Sequence, residues 1–292
     1  MNRRRFLSSI PALAAAGWAG RAAGAPLPFF GSQSVGDPRR RLIPEHLGVQ
    51  LYTLRDRMSE DVARTLDEVA GIGYREVEFA GLFGHPARRV AEMLETSGLR
   101  APSTHVALGR LDSELDALLD EAETLGHEWL VVPSVPGDLF NPDGFRRMAE
   151  VLNRAGEETA PRGIGVAFHN HDREFADLGN GETGMGILLE RGRPGLVSFQ
   201  LDLFWTVHAG EDPLAWFADH SGRFASVHAK DRTADGAMVA VGDGVIDFAT
   251  VLAAGEAAGV RHVFIEHYRP EDSLMSVARS YRALSQLRSG GR

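Results

Sequence analysis

The chain has 292 residues, 40 acids against 31 bases, 43% hydrophobic residues and no cysteine. That length suits one large α/β domain with an ample core, and the missing cysteines exclude disulfides, thiolate metal sites and cysteine nucleophiles. Any metal must therefore rest on His, Asp and Glu, donors that suit Mn²⁺, Mg²⁺, Co²⁺ or Zn²⁺.

Residues 1–25 read as a targeting segment. Arg3-Arg4-Arg5-Phe6-Leu7 fits the twin-arginine pattern, and a weakly apolar, Ala/Gly-rich stretch follows from Pro11 to Gly20. That stretch is too short to span a bilayer. The expectation is a periplasmic or otherwise exported protein, cleaved near Ala22 to Ala25, with no stable membrane anchoring after processing. Without the four arginines of this segment, 27 bases face 40 acids, a net charge of −13. Such a surface repels phosphate backbones, so nucleic acid is not expected as a partner. Residues 26–44 are Pro/Gly/Ser-bearing and aperiodic, a linker or N-terminal arm, and residues 45–292 carry the folded domain.

From Leu47 onward, apolar runs alternate with helix-period segments. The runs are Leu47 to Tyr52, Tyr74 to Phe79, Leu99 to Val106 and Trp129 to Val132, then Ile164 to Phe168, Leu196 to Leu203, Phe224 to His228 and His262 to Ile265. Helices are expected from near Ser59, then over Pro86 to Ser97, Ser113 to Leu125 and Pro142 to Ala160. Further ones are expected over Gly184 to Arg191, Pro213 to His220, Phe248 to Ala258 and Ser273 to Leu287. Eight strands alternating with eight helices predict an α/β fold, a single (β/α)8 TIM barrel. A doubly wound sheet needs a glycine-rich phosphate loop after its first strand, and Tyr52-Thr53-Leu54-Arg55-Asp56 offers none.

A barrel of this kind places its site at the C-terminal ends of the strands. Glu78 stands at the end of the second strand and His105 at the end of the third. His169 and His171 end the fifth, Asp202 the sixth, His228 the seventh and Glu266 the eighth, while the first contributes Gln50 and Tyr52. Taken singly, each has a structural reading. Glu78 could pair with Arg55 or Arg75, His105 could donate to a backbone carbonyl, Asp202 could cap a loop, and Lys230-Asp231 could be an ion pair. Together they predict one metal-centred site. Because strand side chains alternate, His169 and His171 share a face and Asn170 points away.

The fifth-strand stretch Phe168-His169-Asn170-His171-Asp172-Arg173-Glu174-Phe175 resembles the Y-H-N-H-D-F-E-F branch of the sugar phosphate isomerase/epimerase superfamily, the xylose isomerase-like TIM barrels. Leu47 to Arg55, Gly73 to Phe79, Leu201 to Trp205, Val227 to Asp231 and Val241 to Asp247 match the same pattern. The resemblance implies a divalent ion held by Asp202, His228 and Glu266, with His169 at the position of the family's fifth-strand Glu; the sequence leaves His171 open as the alternative ligand. Only one of the family's two metal-bound glutamates remains, so Glu266 is expected to work with His171, His105, Glu78 or Lys230. The implied reaction is proton abstraction next to a carbonyl of a sugar, polyol or 3-keto-glycoside, leading to isomerisation, epimerisation, dehydration or β-elimination. A small-molecule carbohydrate is the expected partner, a homo-oligomer is open, and the rival readings are a non-catalytic exported sugar-binding barrel and an abasic-site endonuclease.

Overall fold

Eight short parallel strands close on themselves in the computed structural model, which describes residues 47–179 and 181–287. They are β1 (Leu47–Gln50), β2 (Glu76–Phe79), β3 (Arg100–His105), β4 (Trp129–Val132), β5 (Gly165–His169), β6 (Val197–Asp202), β7 (Phe224–Ala229) and β8 (His262–Ile265). Around the barrel the order is β1, β8, β7, β6, β5, β4, β3, β2. The single (β/α)8 barrel expected from the alternating pattern is the observed fold. The expected targeting segment and N-terminal arm lie outside the described residues. No helix among those residues is long and apolar enough to cross a membrane.

The strands are apolar because both faces are covered, the outer by helices and the inner by the opposite wall. Val77 and Phe79, Leu201, Val227, and Val263 and Ile265 are fully buried and alternate with a second set that is polar: Glu76 and Glu78, Gln200 and Asp202, Ser226 and His228, His262. The polar set faces the barrel interior. Glu78 of β2 touches Gln200 of β6 and His228 of β7, strands that are not neighbours, so these contacts must cross the interior. Branched apolar side chains usually fill this space; here a buried polar network fills it instead.

The helices pack outside by ordinary amphipathic logic. Pro142–Thr159 begins with the Asn141 side chain accepting from Gly144 N and with Pro142 at the first position, and buries Phe145, Met148, Leu152 and Ala155. Burial of each such large side chain stabilises by about 1.5–3 kcal/mol.

Several boundaries differ from the sequence expectation. Leu51–Leu54 form a 3₁₀ turn rather than extending β1, because the Gln50 side chain accepts from Tyr52 N and caps it. The first helix starts at Arg55 and breaks at Asp61, which caps Val62–Ile72 through Arg64 N. Leu203–His208 is a helix, started by the Asp202 carboxylate accepting from Trp205 N, and Leu108–Ser113 is a further one. A two-residue antiparallel pairing of Asp231–Arg232 with Met238–Val239 follows β7.

Candidate active site

Glu78 is the hub of the interior network. Its Oε2 receives Gln50 Nε2 at 2.8 Å and meets His228 Nε2 at 2.5 Å and His105 Nε2 at 3.2 Å. Its Oε1 receives the Ser103 hydroxyl at 2.5 Å and Gln200 Nε2 at 2.7 Å. Burial alone raises a carboxyl's pKa, but the charges of His105 and His228 and the hydrogen bonds they make more than offset it, holding Glu78 well below the usual range. A carboxylate this fully occupied holds other groups in place.

Above it, His228 turns its other nitrogen to the mouth. Nδ1 lies 2.7 Å from Glu266 Oε2 and 4.0 Å from Asp202 Oδ2. Burial opposes a charge on this ring, yet Glu78 and Glu266 outweigh it and push its pKa up to about 9. Lys230 Nζ stands 2.7 Å from both Asp202 Oδ2 and Glu266 Oε2 and is fully buried. These are close ion pairs between buried groups. Burial would raise the Glu266 pKa; Lys230 and His228 instead bring it down to about 2.

His169 closes the group. Its Nε2 is 3.7 Å from Asp202 Oδ2, and its Nδ1 is buried with no hydrogen-bond partner. Burial, and then the charge of His228, keep this ring neutral by lowering its pKa well below the ordinary value. His169, Asp202, His228 and Glu266 can each point one ligand atom so that all lie within 4.8 Å of one another. Two imidazoles and two carboxylates suit a divalent ion such as Zn²⁺, Co²⁺ or Mn²⁺. The orphaned His169 nitrogen fits that role, as does a His228 ring whose far nitrogen is fixed by a carboxylate.

His171 stands one step further out. Its Nε2 is 3.1 Å from the Tyr268 hydroxyl, and its ring lies 5.0 Å from His169 and 5.6 Å from Trp205 between centroids. Burial, aided by the Lys230 charge, lowers its pKa to about 4. Tyr268 packs 4.1 Å above Lys230 Nζ and edge-on to Tyr52 at 6.0 Å, and burial pushes its phenol up to about 12. Asn170 turns away from both histidines, accepting Asp202 N at 3.0 Å.

All eight residues singled out in the sequence, Glu78, His105, His169, His171, Asp202, His228, Lys230 and Glu266, meet at the C-terminal mouth, and β4 supplies none. The structural readings resolve individually. Glu78 pairs with neither Arg55 nor Arg75, and His105 meets the Gln200 amide oxygen at 3.0 Å rather than a backbone carbonyl. Asp202 does cap a helix, but with Oδ1, leaving Oδ2 to the site. Lys230 and Asp231 do not pair. Asp231 instead accepts the backbone N–H groups of Gly242 and Gly244 at 2.9 and 3.0 Å and of Arg232 and Ile246 at 2.8 and 3.2 Å. It thereby shapes the glycine-rich loop. A Cβ on Gly244 would fall 2.2 Å from Asp231 Oδ1, so that loop needs glycine there. Sequence reasoning missed Gln200, Ser103 and Tyr268. Gln200 had a signal, since it lies two residues before Asp202 on one strand and therefore shares its face.

Known proteins share this fold. The family model for the xylose isomerase-like TIM barrel matches residues 66–285. An inosose dehydratase of Geobacillus thermodenitrificans is 30% identical over 148 residues, covering 44% of this chain and 48% of that protein. The match thus spans about half the length of that curated relative. Among solved structures, a sugar phosphate isomerase/epimerase from Parabacteroides distasonis superposes with a TM-score of 0.74 at 24% identity, covering 83% of this chain and 94% of that one. The IOLI protein with a bound zinc atom gives 0.67 at 18% identity, covering 84% and 98%. At such identities the structural likeness speaks for the fold. By its family match, the chain belongs to the xylose isomerase-like TIM barrels.

Proposed function

We propose that this protein is a divalent-metal-dependent enzyme that removes a proton next to a carbonyl of a sugar or polyol, with dehydration of a keto-polyol as its leading reaction. The observation that carries this reading is the buried group His169, Asp202, His228 and Glu266 with Lys230 between its carboxylates. The partial likeness to an inosose dehydratase supports the choice of dehydration among the possible outcomes. Isomerisation, epimerisation and β-elimination of a 3-keto-glycoside share the same first step. The arginine-rich leader supports export, which would put the substrate outside the cytoplasm.

A divalent ion held by the four donors would supply Lewis-acid polarisation of the substrate carbonyl. The chain's own groups do the rest. Lys230 presents a buried, permanently charged ammonium where negative charge develops on the carbonyl oxygen. Glu266 stays ionised through its pairs with Lys230 and His228, which makes it a charge holder and a poor proton acceptor. His171 is neutral at pH 7, lies outside the four-donor group and is oriented by the Tyr268 hydroxyl, so it is the better base. Tyr52, Trp205 and Tyr268 form an aromatic wall suited to the apolar face of a sugar ring.

The test is incubation of the metal-analysed protein in D₂O with keto-polyols, including inososes, and with 3-keto-glycosides. Deuterium is expected at the carbon beside the carbonyl, and is expected to disappear in His171→Ala. A protein that takes up no divalent metal and exchanges no proton in any of these ligands contradicts the proposal.

A further inference from the structure

Lysine and arginine together number 31 in this sequence, and Lys230 is the one lysine among them. It follows β7 directly and is fully buried within the metal-centred group. A chain that uses arginine for every other basic position thus carries an ammonium here. The two cations differ in shape: a guanidinium is a planar fork, whereas an ammonium is a compact point charge that fits between two oxygens. Lys230 Nζ stands in that way, 2.7 Å from Asp202 Oδ2 and 2.7 Å from Glu266 Oε2.

The same two oxygens face the imidazoles of the four-donor group. Asp202 uses Oδ1 for the helix cap, accepting Trp205 N at 2.9 Å, so Oδ2 is the oxygen it has left for an ion. Oδ2 lies 3.7 Å from His169 Nε2 and 4.0 Å from His228 Nδ1. Glu266 Oε2 lies 2.7 Å from His228 Nδ1. A divalent ion binds a carboxylate oxygen at about 2.1 Å. With Nζ 2.7 Å from that oxygen, ion and ammonium stand within about 5 Å of each other, whatever the ion's direction. Like charges that close repel strongly at a buried position, where screening is weak. A partner outside the ligands can instead raise affinity by fixing how a ligand points. Asp202 already has that support from the Trp205 N–H, so what Lys230 adds is charge.

We propose that Lys230 holds down the site's affinity for its divalent ion by claiming the carboxylate oxygens that the ion must use. The inference rests on the metal-centred reading above. The test is zinc titration of the full chain against a chromophoric chelator, for wild type, Lys230→Gln and Lys230→Met. Both variants remove the charge, and Gln keeps a donor for the carboxylates. Each is expected to bind zinc at least fivefold more tightly than wild type. The metal-free melting temperature should fall at the same time, because two buried carboxylates lose their cation. A lysine that merely supports the site predicts the opposite, since a loosened site binds metal less well. A gain below fivefold, no change or a loss overturns the proposal. Where a variant folds only with metal, it is purified loaded and challenged with excess chelator. Zinc loss at least fivefold slower than from wild type is then expected, and any faster loss counts against the proposal. Wild type supplies a check that needs no variant. With lysine isotope-labelled at Nζ, the chain gives one side-chain ammonium resonance. One equivalent of zinc should shift that resonance to a plateau, and a resonance that stays in place overturns the proposal. Failure of the metal-centred reading looks different: wild type then binds no zinc at all, and this inference falls with it. Zinc bound equally by wild type and variants removes only the role of Lys230.

Discussion

At the N-terminal end of the barrel interior, His262 lies 2.7 Å from Glu76 and 3.8 Å from Glu128, and Arg100 takes the second oxygen of Glu76 at 2.8 Å. At the C-terminal end, His228 lies between Glu78 and Glu266, with Asp202 and Lys230 against them. Both ends set one histidine between two glutamates, and Glu76 and Glu78 sit two apart on one strand face. What differs is the charge count. The lower cluster balances two carboxylates, Glu76 and Glu128, with two cationic groups, His262 and Arg100. Gly48 leaves it room, since a Cβ there would fall 2.6 Å from the Phe264 ring and 3.1 Å from Glu76 Cβ. The upper cluster crowds three carboxylates around two cations and leaves His169 Nδ1 without a partner. Similar chemistry is a staple at one end and a site with spare binding capacity at the other.

The largest effect should come from breaking the staple. Glu76→Ala leaves the buried His262 with Glu128 alone and Arg100 without its partner, and should cost about 3–5 kcal/mol of unfolding free energy, read by urea denaturation. Metal content should stay unchanged. A loss below about 1 kcal/mol would mean that the lower cluster is not structural.

Glu78→Gln comes next and acts on the upper end. It removes the charge that orients His228 and should weaken metal retention about 10–100-fold in a chelator competition. Unchanged retention would take Glu78 out of that role. The lower end should also contribute to the pH dependence of stability, in the same window as His228, whose pKa is likewise raised to about 9. Burial works against a charged His262, but Glu128 and Glu76 outweigh it and push its pKa up to about 9, against an ordinary value of about 6.5. Because the folded pKa is raised, this stabilisation is complete below about pH 6.5 and is lost as pH rises through about 9. The loss should be on the order of 3 kcal/mol. His262→Gln should remove its own share of that slope and leave the share of His228, and an unaltered slope would assign it to other groups. The smallest effect belongs to Tyr268→Phe. Losing the hydroxyl at His171 Nε2 should cost about 1 kcal/mol, roughly fivefold in turnover, with melting temperature and metal content kept.

Much of this contrast was legible in the sequence. Period-two alternation in Glu76-Val77-Glu78, Gln200-Leu201-Asp202 and Ser226-Val227-His228 marks one polar face on otherwise apolar strands, and strand ends in a parallel barrel point to one mouth. The same alternation did not show that Glu76 and His262 meet, because that depends on the register between strands. Tyr268 lies past the end of β8, where loop geometry rather than strand period sets its direction. The helix Leu203–His208 was hidden because Leu203-Phe204-Trp205 continues the apolar run of β6; only the Asp202 cap ends the strand. Adjacency left Asp231 open as a partner for Lys230, whereas neighbours on an extended chain point to opposite sides.

The most direct measurement is elemental analysis of the purified protein and of Asp202→Ala, each dialysed against a weak chelator and checked for fold by circular dichroism. If His169, Asp202, His228 and Glu266 form the site, wild type retains about one equivalent of a divalent metal and the folded variant retains none. Wild type without metal, and with no gain in melting temperature from Zn²⁺, Co²⁺ or Mn²⁺, or a variant that keeps its metal, would contradict the account.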